Sequence, residues 1–289
     1  MNHNYREATY RSHDDLELYY RDFPAKKMDG PPVVCLPGLT RNSRDFEALA
    51  GRLAARHRVI TPDLRGRGRS QWDPNWKNYH PGTYIKDAIA LLDAARLERV
   101  VLVGTSLGGI ISMGLAAVVP QRLVGVVLND IGPEVDPVGI ERIRGYSGKL
   151  PPVRSWQEAA SQARSIYGIA LPDLTDDDWL AYCRRSYKEG PDGVPVLDMD
   201  PRIGDAIRAG PGAPPDLWAA FAALKPIPAL AIRGATSDLL NVATFARMKA
   251  VKPDLVQLEV PARGHAPLLD EPVCVQGIDA FLAALPQRT

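Results

Sequence analysis

The stretch Val100-Val101-Leu102-Val103-Gly104-Thr105-Ser106-Leu107-Gly108, followed closely by the apolar segment Ile110 to Val119, decides the fold of this chain. A short valine-rich run reads as a buried strand and the longer apolar segment as a helix, so G-x-S-x-G falls at a strand-to-helix turn. A serine on so sharp a turn is forced toward strained backbone angles, and side chains two residues to either side would collide. Gly104 and Gly108 meet that demand, which makes Ser106 a candidate nucleophile on an elbow. The bland alternative is a Gly-Ser turn in which Ser106 only caps the helix.

Working outward, strand-like and helix-like segments alternate. Glu7 to Arg11, Leu16 to Asp22, Pro32 to Leu36 and Arg58 to Thr61 read as strands, with a helix from about Ser43 to His57. Tyr84 to Leu97 carries apolar residues at helical spacing, and Val124 to Leu128 is a further strand. Strand, helix, strand, helix in this order predicts a mostly parallel sheet covered on both faces. From Ile131 to Ala223 the rhythm changes to helical patches broken by Lys149-Leu150-Pro151-Pro152, Gly190-Pro191, Gly193 and the Gly210 to Pro215 cluster. Strand-like and helix-like segments then resume with Pro228 to Ile232, Thr244 to Lys249, Leu255 to Val260 and Glu271 to Leu285. The expected organisation is a core domain of residues 1–130 and 224–289 with a helical cap inserted at 131–223.

With 35 basic against 34 acidic residues, the charge balance favours neither nucleic acid nor an anionic membrane, so a small-molecule partner is expected. The polar start, Met1 to Asp15, has no apolar segment typical of a secretion signal, and no apolar run is long enough to span a bilayer. A cytoplasmic protein is expected. Cys35, Cys183 and Cys274 are few, odd in number and far apart, which suits a reducing compartment and gives no zinc spacing. Cys35 lies in an apolar strand-like run, where packing is the expected role. Asp63 to Ser70 alternates arginine and glycine after a strand, but it contains neither G-x-x-x-x-G-K nor a G-x-G-x-x-G that opens a helix, so it is not read as a phosphate cradle.

A serine hydroxyl needs a base within hydrogen-bond reach and a third group to orient that base. Of five histidines, His265 stands out in Pro261-Ala262-Arg263-Gly264-His265, past the end of a strand as Ser106 is past its own. His80, before a helix, is the reserve. Two aspartates also sit past strand ends. Asp238 is preferred over Asp130 because the chain order Ser, Asp, His matches this kind of site; its bland alternative is a turn or cap residue. The N–H of Leu107, next after the serine, is one expected donor to a developing oxyanion, and that of Leu39 in Leu36-Pro37-Gly38-Leu39-Thr40 the other. The bland alternative for this loop is an ordinary turn with Asn42 or Ser43 capping the next helix.

Taken together, these segments resemble the α/β-hydrolase superfamily, in particular its small bacterial serine esterases, enol-lactonases and carbon–carbon bond hydrolases. The resemblance rests on Leu36 to Leu39, on Asp63 to Ser70 (similar to a D-x-R-G-x-G-x-S loop), on Gly104 to Gly108, on Arg233-Gly234 through Asp238 and on Gly264-His265. It implies the α/β-hydrolase fold, an eight-stranded mostly parallel sheet flanked by helices, with an inserted helical cap. It further implies Ser106 as nucleophile, His265 as base, Asp238 as acid, Leu39 and Leu107 as oxyanion donors, and no cofactor or metal. Pro37 departs from the family's usual histidine and removes a hydrogen-bonding side chain there. The expected activity is hydrolysis of a carboxylic ester or lactone of a partly apolar small molecule through an acyl-enzyme. The alternatives are carbon–carbon cleavage of a dienoate ring-fission product and, from another class, a ligand receptor on the same fold. Trp156, Tyr167, Trp179, Tyr182, Tyr187 and Trp218 all fall in the cap, where they either line a roofed pocket or form the cap's own core.

Overall fold

The structure, a computed structural model, describes residues 4–210 and 216–286. His3, residues 211–215 of the breaker cluster, and the chain ends at 1–3 and 287–289 lie outside the described residues.

The first half of the core runs β1 (Arg6–Arg11), β2 (Glu17–Phe23), β3 (Val33–Leu36), α1 (Glu47–Leu53), β4 (Val59–Pro62), α2 (Pro81–Ala94), β5 (Val100–Thr105), α3 (Leu107–Val118) and β6 (Leu123–Asn129). The insertion follows, with α4 (Pro137–Tyr146), α5 (Trp156–Tyr167), α6 (Asp176–Ser186), β7 (Tyr187–Glu189), β8 (Pro195–Leu197), α7 (Ile203–Ala209) and α8 (Trp218–Ala222). The chain returns to the sheet with β9 (Ala229–Gly234), α9 (Val242–Val251), β10 (Val256–Val260) and α10 (Pro272–Ala284). The eight-stranded sheet has the order β1-β2-β4-β3-β5-β6-β9-β10; β2 is antiparallel to both its neighbours and the remaining pairs are parallel.

Burial on both faces explains why the central strands read as continuous apolar runs. On β5, Val100 and Leu102 join the core beneath α2 and α3, whereas Val101 and Val103 join the core beneath α1 and α10. The same alternation divides Val34 and Leu36 of β3 from Val33 and Cys35. Helix α2 starts three residues ahead of its apolar stripe, because His80 caps it and Pro81 occupies the first turn, where a missing N–H costs nothing.

The insertion departs from the all-helical expectation. Strands β7 and β8 pair antiparallel, and the breakers Gly190 and Gly193 form their turn: Gly193 has a φ of 74° and its N–H donates to the Gly190 carbonyl. A three-residue strand is too short to register as a periodic pattern. Val153, Ala159, Ala163, Leu171, Trp179 and Cys183 give the insertion a small core of its own, while Phe221 of α8 packs into the main core beside α3. The stretch after β8 is bound to the Asp63–Ser70 loop: Gly68 N–H donates to the Asp198 carbonyl, Asp200 N–H to the Gly66 carbonyl, and Tyr79 Oη to Asp200 Oδ2 at 2.6 Å.

Two of the three arginines of that loop are buried, whereas Arg69 is exposed and pairs with Glu7. Arg65 is fully buried among Asp14, Asp73 and Asp87, and Arg67 donates to the Leu39 and Arg65 carbonyls and to Tyr84 Oη. His13, Asp14 and Asp87 converge closely enough to suggest a cation site, but the Arg65 guanidinium already binds both carboxylates. Among the described residues no helix is long and apolar enough to cross a membrane.

Candidate active site

Ser106 sits between β5 and α3 with φ 53° and ψ −114°, and although it holds the cap position its side chain makes no capping bond. The strain is locked in by backbone: the Ser106 N–H donates to the Asn129 carbonyl at 3.0 Å, and its carbonyl accepts from Gly109 and Ile110. A Cβ at Gly104 would strike the Gly108 backbone, and one at Gly108 would strike the Leu36 carbonyl on β3. Both contacts are with backbone that cannot move aside, so glycine is required at both positions.

The freed hydroxyl faces His265. Ser106 Oγ lies 2.9 Å from His265 Nε2, and His265 Nδ1 lies 2.7 Å from Asp130 Oδ2. Asp130 also accepts from the Gly234 N–H at Oδ1 and from Ser237 Oγ at Oδ2, so both its oxygens act as acceptors. Nδ1 then carries the ring proton toward Asp130, leaving the Nε2 lone pair to accept from the serine hydroxyl.

The expectation that Asp238 faces the histidine is corrected here. Asp238 is turned to the cap, where Arg142 of α4 donates to both its oxygens at 2.5 and 2.8 Å. Burial pushes the Asp238 carboxyl up, but Arg142, with a smaller contribution from His265, brings it below its ordinary value. Asp130 directly follows the neighbouring strand β6, is fully buried, and has a φ of 53° that an aspartate tolerates. Asp238 is near enough to feel the His265 charge but is paired with Arg142 of the cap, and Asp130 is the carboxylate bonded to the imidazole.

In the Gly38–Leu39 peptide, Gly38 O accepts from the Arg41 N–H at 3.2 Å, which directs the Leu39 N–H to the opposite side. Arg67 Nε holds the Leu39 carbonyl at 2.8 Å, supplying this loop with a hydrogen bond although Pro37 offers none. A Cβ on Gly38 would stand 3.8 Å from Ser106 Cβ, so the loop backbone passes directly by the serine. Leu107 opens α3, and its N–H lacks an intrahelical acceptor by position. Asn42 caps the following 3-10 turn as its bland role predicts, and its Nδ2 also reaches the Arg185 carbonyl.

A cavity of about 90 Å³ opens over Ser106, lined by Leu39, Arg41, Tyr146, Tyr167, Tyr182, Arg185 and His265 among others. Of the six cap aromatics singled out in the sequence, Tyr167 and Tyr182 thus line it. Trp179 is buried in the cap core, Trp156 lies beneath Arg184, Tyr187 donates to Gln162, and Trp218 packs on Phe221. Tyr146, Arg41 and Arg185 were not singled out by the sequence and have no motif; Arg41 reaches the cavity from the Gly38–Leu39 loop of the core, and Tyr146 and Arg185 reach it only through the folding of the cap. Burial pushes the Tyr146 and Tyr182 phenols well above their ordinary range, so both line the cavity as neutral groups.

The other candidates are structural. His80 Nδ1 accepts from the Gly82 N–H as a helix cap, and His57 bonds the Pro31 carbonyl. All three cysteines are free and buried; burial pushes the Cys183 thiol up to about 11 and those of Cys35 and Cys274 beyond the usual thiol range. No thiol of the native protein is expected to react with a disulfide reagent at pH 8, whereas all three should titrate in denaturant; rapid native reaction of any one would contradict its burial.

Residues 33–274 match the family described as the alpha/beta hydrolase family, and the chain belongs to it. It is an enzyme, a hydrolase, of that family. The chain is 36% identical over 251 residues to the 3-hydroxybutyrate-oligomer hydrolase of Cupriavidus necator, covering 83% of this chain and 84% of the relative. It is 27% identical over 240 residues to the 2-(acetamidomethylene)succinate hydrolase of Mesorhizobium japonicum, covering 83% of each. The crystal structure of an alpha/beta hydrolase from Novosphingobium aromaticivorans superposes with a TM-score of 0.92 at 43% identity, covering 97% of this chain and 98% of that one.

Proposed function

We propose that this enzyme hydrolyses a carboxylic ester or lactone of a small, partly apolar molecule through an acyl-enzyme on Ser106. The observation that carries this reading is the hydrogen-bonded series Ser106 Oγ, His265 Nε2 and Nδ1, and Asp130 Oδ2, at 2.9 and 2.7 Å. In the proposed reaction His265 takes the serine proton as Oγ attacks the carbonyl carbon, and Asp130 steadies the imidazolium that forms. The Leu39 and Leu107 N–H groups stabilise the oxyanion of the tetrahedral intermediate, each contributing about 3 kcal/mol. The intermediate collapses with return of the proton to the leaving alcohol, and water, deprotonated by the same histidine, releases the acid. The ester substrate of the Cupriavidus relative supports ester chemistry on this scaffold. The free buried thiols are compatible with a reducing, cytoplasmic setting.

A fluorophosphonate is expected to label the folded protein stoichiometrically at Ser106, with labelling and aryl-ester turnover both lost in Ser106→Ala. Unlabelled Ser106 in folded protein would overturn the acyl-enzyme reading. Turnover of a dienoate ring-fission product without turnover of aryl esters would move the assignment to carbon–carbon cleavage.

A further inference from the structure

We infer that Arg185 binds a free carboxylate on the substrate, so that the esters this site prefers are acidic ones. The inference rests on the serine-hydrolase reading above. Arg185 lines the same small cavity as Ser106 and His265. Its helix, α6, starts at a capping box formed by Thr175 and Asp178, and Tyr182 and Arg185, three residues apart, share the face turned to the cavity. The backbone there is fixed from the core side, since the Arg185 carbonyl accepts from Asn42 Nδ2 at 2.9 Å and Arg44 Nε at 3.0 Å.

The other arginines around the site are paired. Arg41 holds Asp45 through Nε and Nη2 and also reaches Ser186, Arg44 holds Asp198, and Arg142 holds Asp238. Arg185 is different: its guanidinium makes no hydrogen bond or ion pair with any described residue, and its Nε is both buried and without an acceptor. Asp178 and Asp270 feel its charge only from outside ion-pair distance, and the Tyr182 ring lies 5.7 Å from its Cζ. Among the residues lining the cavity, Asp45 is the one carboxylate against two guanidiniums, which leaves one positive charge uncompensated.

A buried donor left unpaired is costly, and a planar guanidinium is best satisfied by the two oxygens of a carboxylate. In a cavity of about 90 Å³, a group of that kind belongs to the molecule undergoing reaction at Ser106. It lies on either the acyl or the alcohol half of the ester, and the test separates the two.

Two matched pairs of substrates should be compared by titrating the released acid. Monoethyl succinate against ethyl butyrate places the carboxylate on the acyl half; 3-acetoxybutanoate against 3-acetoxybutanamide places it on the alcohol half. Wild type is expected to favour the acidic member of one pair by about tenfold or more in kcat/KM, the size of a charge-assisted hydrogen bond. Arg185→Gln should erase that ratio mainly through KM, Arg185→Lys should restore part of it, and Arg184→Gln, whose side chain lies over Trp156, should retain it. Butyrate should also slow fluorophosphonate labelling of Ser106 more than butyramide does, and this difference should vanish in Arg185→Gln. Equal turnover within both pairs, or an equal loss on both members in Arg185→Gln, overturns the inference while labelled Ser106 leaves the hydrolase reading standing. Absence of labelling overturns both.

Discussion

Asp130→Asn is expected to lower kcat on aryl esters by about 10⁴-fold with little change in KM, because an amide in place of the carboxylate favours the wrong imidazole tautomer. In the native site Asp130 Oδ2 accepts the Nδ1 proton of His265 at 2.7 Å, while Ser237 Oγ and the Gly234 N–H hold the carboxylate in place. An asparagine whose oxygen kept the Gly234 N–H satisfied would place its NH₂ where Oδ2 stands, facing both Ser237 Oγ and Nδ1, and would force the ring proton to Nε2 and toward the serine oxygen. Asp238→Asn, by contrast, removes one half of a partly exposed ion pair with Arg142, and a change of about fivefold at most is expected from an interaction of that size. Kinetics of the two variants on p-nitrophenyl acetate decide the matter. The reverse result would return the acid to Asp238 and require Arg142 to release it during the reaction.

Replacing Arg65 by methionine should cost about 3–5 kcal/mol of stability, the usual penalty for leaving buried charges without their partner. Arg65 is fully buried and donates to Asp87 at 2.5 and 2.7 Å, to Asp73 at 2.6 Å and to Asp14 at 2.8 Å through two bonds. For a chain of this size the loss corresponds to a fall in Tm on the order of ten degrees.

The pH dependence of that loss has a definite sign. Arg65 holds the Asp14 carboxyl well below the usual carboxylate range, so in wild type Asp14 contributes stability above the ordinary carboxylate pKa that is lost as pH falls further. Burial already pushes the Asp87 carboxyl up despite Arg65, and without the guanidinium it is pushed further. A raised carboxyl pKa favours the folded state below its unfolded value and loses that contribution as pH rises, so the variant is worst at neutral pH. The Tm gap between Arg65→Met and wild type should therefore narrow from pH 7.5 toward pH 4.5. A variant within a degree of wild type across that range would mean that apolar packing replaces the cluster without cost.

The elbow, the sheet and the histidine were legible because each is set by local chemistry. Gly104 is demanded by the Gly108 backbone within one turn and Gly108 by the Leu36 carbonyl of the adjacent strand, a spacing that the G-x-S-x-G string records, and strands buried on both faces leave unbroken valine runs. The hairpin of β7 and β8 was not legible, since three-residue strands carry no period and their turn glycines look like any other breaker. The choice between two strand-end aspartates was not legible either. Chain order favoured Asp238, but that carboxylate is claimed by Arg142, 96 residues earlier in the sequence, on a cap helix.

By itself, the sequence determined the fold, the position of the serine and the histidine that follows the last strand, because strand burial, turn sterics and chain order act through neighbouring residues. Only the tertiary structure decided which carboxylate meets His265, which tyrosines face the cavity, and that Arg185 enters it without a counter-charge. Those outcomes depend on how a separately packed cap settles over the sheet, and ion pairing and burial across such an interface leave no periodic mark in the chain.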